Sequence, residues 1–258
     1  MMSDYTPTEM MTVAAARMLR NGTVCFVGIG LPSTAANLAR LTHAPEAVLI
    51  YESGPIGAKP DVLPLSIGDG DLSVTADTVV STPEIFRYWL QGGRITVGFL
   101  GGAQIDRFAN LNTTVVGPYK NPKVRLPGGG GAPEIATNCR EVFITMAMGQ
   151  RAFVERLPFV TSLGHGAGRD SRAALGVATK GPTRVVTDLC LMQPDPECSE
   201  LSVTALYPGI TRDIVQAACG WPLRFSAEVA EAPPPSGPEI AVLREMQART
   251  ARAHGSDA

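Results

Sequence analysis

The sequence predicts an α/β fold with an open, mostly parallel sheet flanked by helices, and additional β-rich segments. One indication is the order strand, glycine-rich turn, helix, strand between residues 23 and 51. Two successive strands joined through a helix pair in parallel. A second indication is that short apolar runs end in glycines, as before Gly28 and Gly101. Open α/β sheets bind ligands outside the carboxyl ends of their strands, so these turns are candidate sites.

Composition restricts the class of protein. The 258 residues are 45% hydrophobic and 18% charged, with a formal net charge of -2. Such a chain can build one large core, and its near-neutral charge argues against nucleic-acid binding. No run approaches the roughly 18 apolar residues of a membrane span, and the N-terminus lacks signal-peptide regions. We expect a cytoplasmic protein that binds no membrane, with a main domain at residues 1–231 and a proline-rich linker and helix at 232–258.

The cysteines and histidines predict neither a disulfide framework nor a metal site. The five cysteines include no CxxC pair, and the three histidines are scattered along the chain. Cys25 and Cys190 lie inside apolar runs, where a thiol usually acts as a small hydrophobic group. No zinc-ligand spacing is present. We therefore expect no bound metal.

The N-terminal segment predicts a helix, a strand and a second helix. Thr8–Arg20 is rich in Ala and Met and stops at Asn21-Gly22, a typical helix end. Thr23–Val27 is a strand candidate that leads into Gly28-Ile29-Gly30, and Ala35–Leu41 resumes a helical pattern. The glycine pair lacks the third glycine and the acidic residue of a dinucleotide fingerprint. A turn whose amides bind an anion before the helix stays open.

The next strand ends at a carboxylate. Val48–Tyr51 predicts a short buried strand, and Glu52 follows it directly, before Ser53 and Gly54. Glycine beside a carboxylate allows a bulky reactant to approach the backbone, so Glu52 is a candidate catalytic group. Two other roles remain open from this stretch alone. Glu52 would then cap the strand, or pair with a surface arginine.

The segment between residues 59 and 93 predicts a loop followed by a helix. Ser66–Asp71 is acidic but lacks the ligand register of a calcium-binding EF-hand, so we interpret it as a solvated or substrate-flanking loop. Thr82–Leu90 predicts a capped helix with Pro83 in its first turn. The glycines at positions 92 and 93 end it.

Two more glycine-rich loops follow. Ile95–Leu100 predicts a strand that runs into Gly101 and Gly102, whose backbone N–H groups are candidate donors to a developing oxyanion. A tight structural turn is the alternative. The four glycines at 128–131 carry a large ordering entropy, which favours a place where a ligand or another chain passes close to the backbone. No Gly-Lys-Ser/Thr ending follows, so this is not a P-loop.

The remaining chain predicts further strands and two helices. Asn110–Thr114 is expected to be a turn that enters a hairpin. The predicted β-rich stretches are Glu141–Met148, Val160–Leu163, Arg184–Met192 and Leu201–Leu206. A helix is expected to follow Pro208–Asp213 and to end at Ala218, and a last helix, Glu239–His254, follows the stiff proline-rich linker.

The loops together resemble the motifs of family I CoA-transferase β subunits. Tyr51–Gly54 is similar to their Glu-(Ser/Asn)-Gly motif, Leu100–Asp106 to their Leu-Gly-Ala-x-Gln-Val-Asp segment, and Pro127–Ala132 to their Gly-Gly-Ala loop. Phe26–Ser33 and Phe86–Gly93 match the glutaconate-type branch and, within it, the subset that serves 3-oxoadipate. The form Ser-Glu-Asn-Gly of the short-chain 3-oxoacid branch is absent, which argues against acetoacetate. The similarity covers most of the chain and weakens beyond the linker.

The resemblance implies the CoA-transferase fold and a ping-pong transfer of CoA from succinyl-CoA to 3-oxoadipate, in the breakdown of aromatic compounds. Glu52 would be the nucleophile and would carry a glutamyl-CoA thioester, with Gly101 and Gly102 as oxyanion donors. CoA is a substrate here, and no cofactor is implied. The partner implied is an α subunit, in a heterotetramer or a larger assembly. Residues expected to bind substrate or CoA are Ser53, Gly54, Gln104, Gly128, Gly129, Gly130 and Gly131.

Three alternatives remain beside this interpretation. The same enzyme class could act on another acid, such as glutaconate. Related pairs act as CoA-thioester hydrolases or decarboxylases, but they lack the β-subunit glutamate, so Glu52 argues against them. A sugar-phosphate-sensing module has a similar sheet, but no basic patch supports it here. Candidates for binding a second acceptor carboxylate, with ordinary surface charge as the alternative, are Lys59, Arg107, Lys123 and Arg125.

Overall fold

The computed structural model describes residues 4–255, and their contacts form two compact units. The first unit runs to Phe99 and also contains the chain from Pro234 onward, while the second is Leu100–Pro233. The C-terminal helix therefore belongs to the first unit. The domain boundary suggested at residue 231 stays a prediction.

The helices and strands within residues 4–255 have the following bounds. The helices are α1 (Pro7–Ala16), α2 (Leu31–Thr42), α3 (Gly70–Val74), α4 (Thr82–Glu84), a π-helix (Ile85–Leu90), α5 (Ala132–Asn138), α6 (Ser171–Ala174), α7 (Arg212–Ala217) and α8 (Gly237–Ala253). The strands are β1 (Val24–Phe26), β2 (Val48–Ile50), β3 (Pro55–Ile56), β4 (Thr78–Val79), β5 (Val97–Leu100), β6 (Gln104–Ile105), β7 (Leu111–Asn112), β8 (Val115–Val116), β9 (Val124–Arg125), β10 (Glu141–Thr145), β11 (Pro182–Val186), β12 (Cys190–Pro194), β13 (Leu201–Leu206) and β14 (Arg224–Glu231).

The sheet of the first unit has the strand order β5-β1-β2-β3-β4. Strand β1 pairs in parallel with both β2 and β5, and Phe26 lies opposite Ile50. A tight turn returns the chain after β2, so β3 pairs antiparallel with β2. Strand β4 in turn pairs antiparallel with β3. The strand–helix–strand unit predicted from residues 23–51 is confirmed. Since β2 is central to this group of strands, the residues just after it lie at the carboxyl edge of the parallel strands.

The two helices at the ends of the first unit are joined by ion pairs. Helix α1 begins at a capping box in which Thr6 and Glu9 exchange side-chain and backbone hydrogen bonds. The helix ends at Ala16, earlier than predicted, because the amides of Met18 and Leu19 bond three residues back in tight turns. Two ion pairs join the α1 segment to α8, Arg17 with Glu239 at 2.6 Å and Glu9 with Arg244 at 2.7 Å.

The sheet of the second unit has the order β10-β11-β12-β13-β14. Strand β11 is parallel to β10, and β14 is parallel to β13, with antiparallel pairs between. Two small antiparallel pairs, β6–β7 and β8–β9, accompany it. The predicted α/β class is confirmed. None of the helices within the described part of the chain has the length and apolar character that a membrane crossing needs.

The structure contradicts one local prediction for the second unit and refines two others. Val160–Leu163 makes only an isolated bridge, between Ser162 and Leu111, so apolar composition alone did not extend a strand there. Asn110–Thr114 contains strand β7, and the predicted turn into a hairpin forms only at its end, where the side-chain oxygen of Asn112 accepts the amides of Thr114 and Val115 before β8 pairs with β9. Arg184–Met192 is two strands, because the Thr187 hydroxyl accepts the amides of Leu189 and Cys190 in a turn. In the first unit, Ser66–Asp71 is a loop that already begins the short helix α3.

Candidate active site

Glu52 lies in a tight turn between the antiparallel strands β2 and β3. The amide of Gly54 donates to the carbonyl of Tyr51 at 3.0 Å, and the amide of Tyr51 donates to the carbonyl of Pro55 at 3.1 Å. These bonds close a four-residue turn with Glu52 and Ser53 at its two central positions. The backbone of the turn is therefore hydrogen-bonded at both ends, and its two central residues lie outside the ladder that β2 and β3 form.

Gly54 is the position in the turn where only glycine fits. Its φ of +124° lies in the region that side chains with a Cβ rarely adopt. A Cβ at this position would overlap the backbone carbonyl oxygen of Val80, and the amide of Val80 donates to the carbonyl of Gly54 at 3.1 Å. The chain that leaves β4 thus passes directly against the turn. Its close approach fixes the far end of the segment that carries Glu52.

The two central side chains of the turn have no bonding partner among residues 4–255. Glu52 is half-buried, and its carboxylate forms no hydrogen bond or ion pair with any described residue. The hydroxyl oxygen of Ser53 is buried and also has no partner there. Neither strand capping nor an arginine pair, the two other roles considered for Glu52, occurs in this part of the chain. A free carboxylate beside an unpaired hydroxyl is suited to react with, or bind, an added molecule.

Tyr51, which precedes Glu52, is anchored on helix α2. Its ring is fully buried, and its hydroxyl lies 3.0 Å from the hydroxyl of Ser33 and 3.3 Å from the amide nitrogen of Asn37. Burial raises the pKa of Tyr51 above its ordinary value. Sequence reasoning missed this contribution of Ser33 and Asn37. Their spacing of four residues, just after the Gly28–Gly30 turn, places them on one face of α2 and was the available signal.

Gly101 and Gly102 follow strand β5 and leave their amides free. Neither amide donates a hydrogen bond to any residue that the structure describes, whereas the next amide, of Ala103, donates to the carbonyl of Asn112 at 3.1 Å. A Cβ at Gly101 would lie 3.3 Å from the carbonyl oxygen of Thr145, and one at Gly102 would lie 3.2 Å from Leu111. Two consecutive unpaired N–H groups agree with the donor role considered for them. That role itself stays a prediction.

Gln104 differs from these residues because its side chain is already engaged. Its Oε1 accepts from Asn112 at 2.8 Å, and its Nε2 donates weakly to the carbonyl of Arg151 at 3.4 Å. Asn112 is fully buried and also donates to the carbonyl of Val115 at 2.7 Å. Gln104 therefore stabilises the pairing of β6 with β7. Its predicted contact with substrate or CoA remains untested by this geometry.

The glycines at 128–131 form an open loop before α5. Gly128 and Gly130 have φ values of +102° and +48°, and a Cβ at Gly129 would lie 3.1 Å from Pro133. The amide of Gly128 donates to the carbonyl of Thr113, but those of Gly129, Gly130 and Gly131 donate to no described residue. Backbone conformation thus accounts for Gly128 and Gly130 and packing for Gly129, whereas Gly131 has an ordinary φ of -78°. Ligand binding by the loop stays a prediction.

Most of the candidate cations have other partners. Lys59 pairs with Asp77 at 2.8 Å. Arg107 lies between Glu155 and Glu200, in a polar cavity of about 650 Å³ within the second unit. Arg125 stacks on Tyr119, with 4.8 Å between the guanidinium carbon and the ring centre. Lys123 makes no ion pair with a described residue.

Neither a cluster of metal-ligating side chains nor a reactive buried thiol competes with Glu52 among the described residues. Within residues 4–255, no group of three or more histidine, cysteine, aspartate or glutamate side chains could hold a metal ion. Burial raises the pKa of Cys139 and of Cys190 to about 12, so these thiols are not nucleophilic near neutral pH. Glu52 remains the best-placed nucleophile of the first unit.

Comparison with known proteins identifies the relatives of this chain. A family model described as Coenzyme A transferase matches residues 8–218. The chain is 63% identical over 254 residues to the β-type subunit of 3-oxoadipate CoA-transferase from Pseudomonas knackmussii, with 98% of each protein covered. It is 36% identical over 252 residues to the corresponding subunit of glutaconate CoA-transferase from Acidaminococcus fermentans, with 94% of this chain and 92% of that protein covered.

The solved structures agree with the sequence relatives. The crystal structure of glutaconate coenzyme A-transferase from Acidaminococcus fermentans matches with a TM-score of 0.89 and 32% identity, over 94% of this chain and 95% of that one. The resemblance inferred from the loop motifs is confirmed, and so is the fold that it implied.

Proposed function

Because the chain belongs to the coenzyme A transferase family, and is therefore a CoA-transferase, we propose that it is the β subunit of an enzyme that moves CoA from succinyl-CoA to 3-oxoadipate. The observation that carries the chemistry is the Glu52 carboxylate, which is half-buried in a tight turn and has no partner among the described residues. The choice of acid is supported by the similarity to the Pseudomonas knackmussii protein.

The reaction divides into two symmetric halves. The Glu52 carboxylate attacks the thioester carbonyl of succinyl-CoA, which releases CoA thiolate and forms a mixed anhydride. The thiolate then attacks the glutamyl carbonyl, which forms a γ-glutamyl-CoA thioester and releases succinate. The 3-oxoadipate carboxylate attacks this thioester, which releases CoA thiolate and forms a second anhydride. The thiolate then attacks the 3-oxoadipyl carbonyl of that anhydride, which forms 3-oxoadipyl-CoA and frees the Glu52 carboxylate. Each step exchanges one acyl bond for another, so the thioester-level energy is conserved while water is excluded.

The remaining site residues act by binding. The free amides of Gly101 and Gly102 would stabilise the oxyanion of each tetrahedral intermediate, a contribution of roughly 3 kcal/mol per donor in comparable sites. The unpaired hydroxyl of Ser53 would donate to a bound carboxylate. The glycine loop would admit the pantetheine or nucleotide of CoA, whose binding energy can drive the strained steps. CoA is substrate, and the scheme uses no cofactor.

We further propose that an α subunit completes the enzyme, in a heterotetramer or a larger assembly. Large apolar side chains are exposed on the segment that leaves and rejoins the Glu52 turn, namely Leu65, Ile67, Val74 and Val79. Such a group is more typical of a surface that a partner covers than of one that faces water. The purified chain alone should therefore show no turnover, and adding the α subunit should restore it. Full turnover by the isolated chain would exclude this arrangement.

The experiment that tests the proposal is adduct trapping on Glu52. The assembled enzyme is incubated with succinyl-CoA, treated with borohydride, digested and examined by mass spectrometry. The reduced adduct is expected on the peptide that contains Glu52. Glu52→Ala should abolish both adduct and CoA exchange, whereas Glu245→Ala, which removes an exposed acid on α8, should change neither. An active Glu52→Ala enzyme is the result that rejects the mechanism.

The cytoplasmic location remains part of the proposal. It is supported by the five cysteines, none of which forms a disulfide bond within the described residues.

A further inference from the structure

The turn that carries Glu52 is held differently at its two ends. At Gly54 the hold is made by backbone, through the hydrogen bond from Val80. At Tyr51 a side chain also fixes the turn, because the phenol is fully buried and its hydroxyl is hydrogen-bonded to helix α2. The side chains of the two central residues, Glu52 and Ser53, have no hydrogen-bond or ion-pair partner within the described part of the chain. The direction of the Glu52 carboxylate therefore depends on what fixes the two ends.

The hydrogen bonds around Tyr51 have a defined direction. Arg40 donates to Oδ1 of Asn37 from two nitrogens, at 3.4 and 3.3 Å, so the amide of Asn37 cannot reverse without setting donor against donor. Its Nδ2 donates to the carbonyl of Ser33 at 2.9 Å and faces the oxygen of Tyr51 at 3.3 Å. The Tyr51 oxygen thus accepts from Asn37, which leaves its own proton for the hydroxyl of Ser33 at 3.0 Å.

Each polar side chain of this buried network has a hydrogen-bond partner, so disrupting the network should cost considerable free energy. Tyr51, Ser33 and Asn37 are all at most 1% exposed, so water cannot replace a lost partner. Because burial also raises the pKa of Tyr51, the phenol stays protonated at neutral pH and keeps its role as donor. The network links one end of the turn to a twelve-residue helix, α2.

We propose that Tyr51 is a positioning residue for CoA transfer, whose hydroxyl holds the Glu52 carboxylate in its reactive direction through Ser33 and Asn37. The inference rests on the proposed role of Glu52 as nucleophile. It follows from the geometry, since one peptide unit separates the anchored residue from the reacting one, and no described residue bonds the carboxylate itself. A displacement of about 1 Å at a reacting group can reduce a rate by roughly 10²-fold.

The variant that tests this is Tyr51→Phe in the assembled enzyme. It keeps the ring and removes only the hydroxyl. We expect kcat to fall about 10- to 100-fold, with KM for succinyl-CoA and for 3-oxoadipate unchanged within about twofold, because the buried Tyr51 hydroxyl contacts α2 and not the substrates. In a single turnover, formation of the Glu52 adduct should slow by the same factor. The final amount of adduct counts the competent sites, so a loss of folded enzyme is separated from a loss of rate.

A double-mutant cycle tests the route through α2. Ser33→Ala removes the hydroxyl that contacts Tyr51. If the two hydroxyls act as a unit, the double variant Ser33→Ala/Tyr51→Phe should lose no more rate than the more damaging single variant. Rate losses that multiply would show that the two residues act independently, and would overturn the route proposed.

Tyr207→Phe is the matched control. Tyr207 is also buried, at 3% exposure, but its hydroxyl has no hydrogen-bond partner among residues 4–255. Its loss should leave kcat unchanged. A wild-type kcat in Tyr51→Phe, or a fall that merely follows the number of competent sites, overturns the positioning role. An active Glu52→Ala enzyme would instead reject the proposed function, so the two failures are distinguishable.

Discussion

The turn Tyr51–Gly54 and the segment Gly101–Gln104 offer opposite parts of their chain to a reactant. In the turn, the backbone is hydrogen-bonded at both ends, and the side chains of Glu52 and Ser53 have no partner among residues 4–255. In the second segment, the amides of Gly101 and Gly102 donate to no described residue, and the side chain of Gln104 is bonded. Acyl transfer needs a nucleophilic side chain and donors for an oxyanion, and the proposed function assigns one of these roles to each segment.

This contrast distinguishes the roles of residues that look equivalent in a sequence motif. Glu52, Ser53, Gly54 and Gln104 all belong to conspicuous loop motifs, yet the structure gives them different tasks. Glu52 and Ser53 present unpaired groups, Gly54 provides a backbone conformation, and Gln104 joins two strands. A motif residue is a good candidate for chemistry when its polar group has no partner within the fold.

The largest expected effect comes from Gly54→Ala. The substitution adds strain at a φ of +124° and places a Cβ against the backbone carbonyl of Val80. We expect turnover to be lost and the free energy of unfolding to fall by about 3 kcal/mol or more. Gly22→Ala is the matched control, since its φ is +78° but no atom lies within 4 Å of the added Cβ. Gly22→Ala should lower the free energy of unfolding by only about 1 kcal/mol and leave turnover unchanged.

Equal costs for these two variants, measured by urea unfolding and by CoA exchange, would contradict the argument. They would show that the turn yields to the new Cβ, and that the approach of Val80 does not fix the end of the Glu52 segment.

The second prediction concerns the acceptor acid. A site shaped for 3-oxoadipate must pair its second carboxylate, and a monocarboxylate would leave that pairing group buried and alone. We expect kcat/KM for 3-oxoadipate to exceed that for acetoacetate by about 10²-fold or more, and also to exceed that for glutaconate. The measurement follows loss of succinyl-CoA in the reconstituted enzyme, with each acid at equal concentration. If either competitor reacts faster, the assigned acid is wrong, while the role of Glu52 is unaffected.

Much of the first unit could be predicted from sequence because its signals are local. The apolar run before Glu52 and the turn residues after it predicted both the strand and the position of the carboxylate at the strand's end. The helix between β1 and β2 predicted parallel pairing. The loop motifs then identified the family. These features depend on neighbours within a few residues along the chain.

The parts that sequence missed depend on distant contacts. Strand β14 is largely exposed and rich in charge, so only its pairing with β13 makes it a strand. Ser33 and Asn37 acquire their role from a tyrosine 14 to 18 residues further along the chain. The helix predicted at Thr82–Leu90 exists, but Ile85–Leu90 is π-helical, a distinction that composition does not encode.

The third prediction sharpens the contrast at Gln104. Gln104→Ala removes the acceptor of the buried Asn112 amide, so we expect the free energy of unfolding to fall by about 1 to 2 kcal/mol. Because the side chain is engaged within the fold, KM for succinyl-CoA should change less than about threefold. Gln150→Ala, which removes an exposed glutamine bonded to the carbonyl of Ala217, should cost less stability. A tenfold rise in KM at unchanged stability would restore Gln104 as a binding residue.

The smallest effect is expected at the ion pair between Glu9 and Arg244, where a charge serves stability and not turnover. Hydrogen bonds from Arg244 lower the pKa of Glu9 from its ordinary 4.5 to about 2. Since the pKa is lower in the folded state, the stabilising contribution is complete above pH 4.5 and is lost as the pH falls toward 2. Glu9→Gln removes the charge but keeps an oxygen to accept the amide of Thr6 in the capping box.

The change from Glu9 to Gln should cost about 1 kcal/mol or less at neutral pH, because Arg244 is half-exposed and solvent screens the pair. The difference in the free energy of unfolding between the wild-type protein and Glu9→Gln should narrow steadily as the pH falls from 4.5 toward 2. Turnover per competent site should stay the same. Urea unfolding at a series of pH values, together with adduct counting at neutral pH, measures both. A gap that is independent of pH would mean that the packing of α1 against α8, rather than the charge of Glu9, supplies the stability.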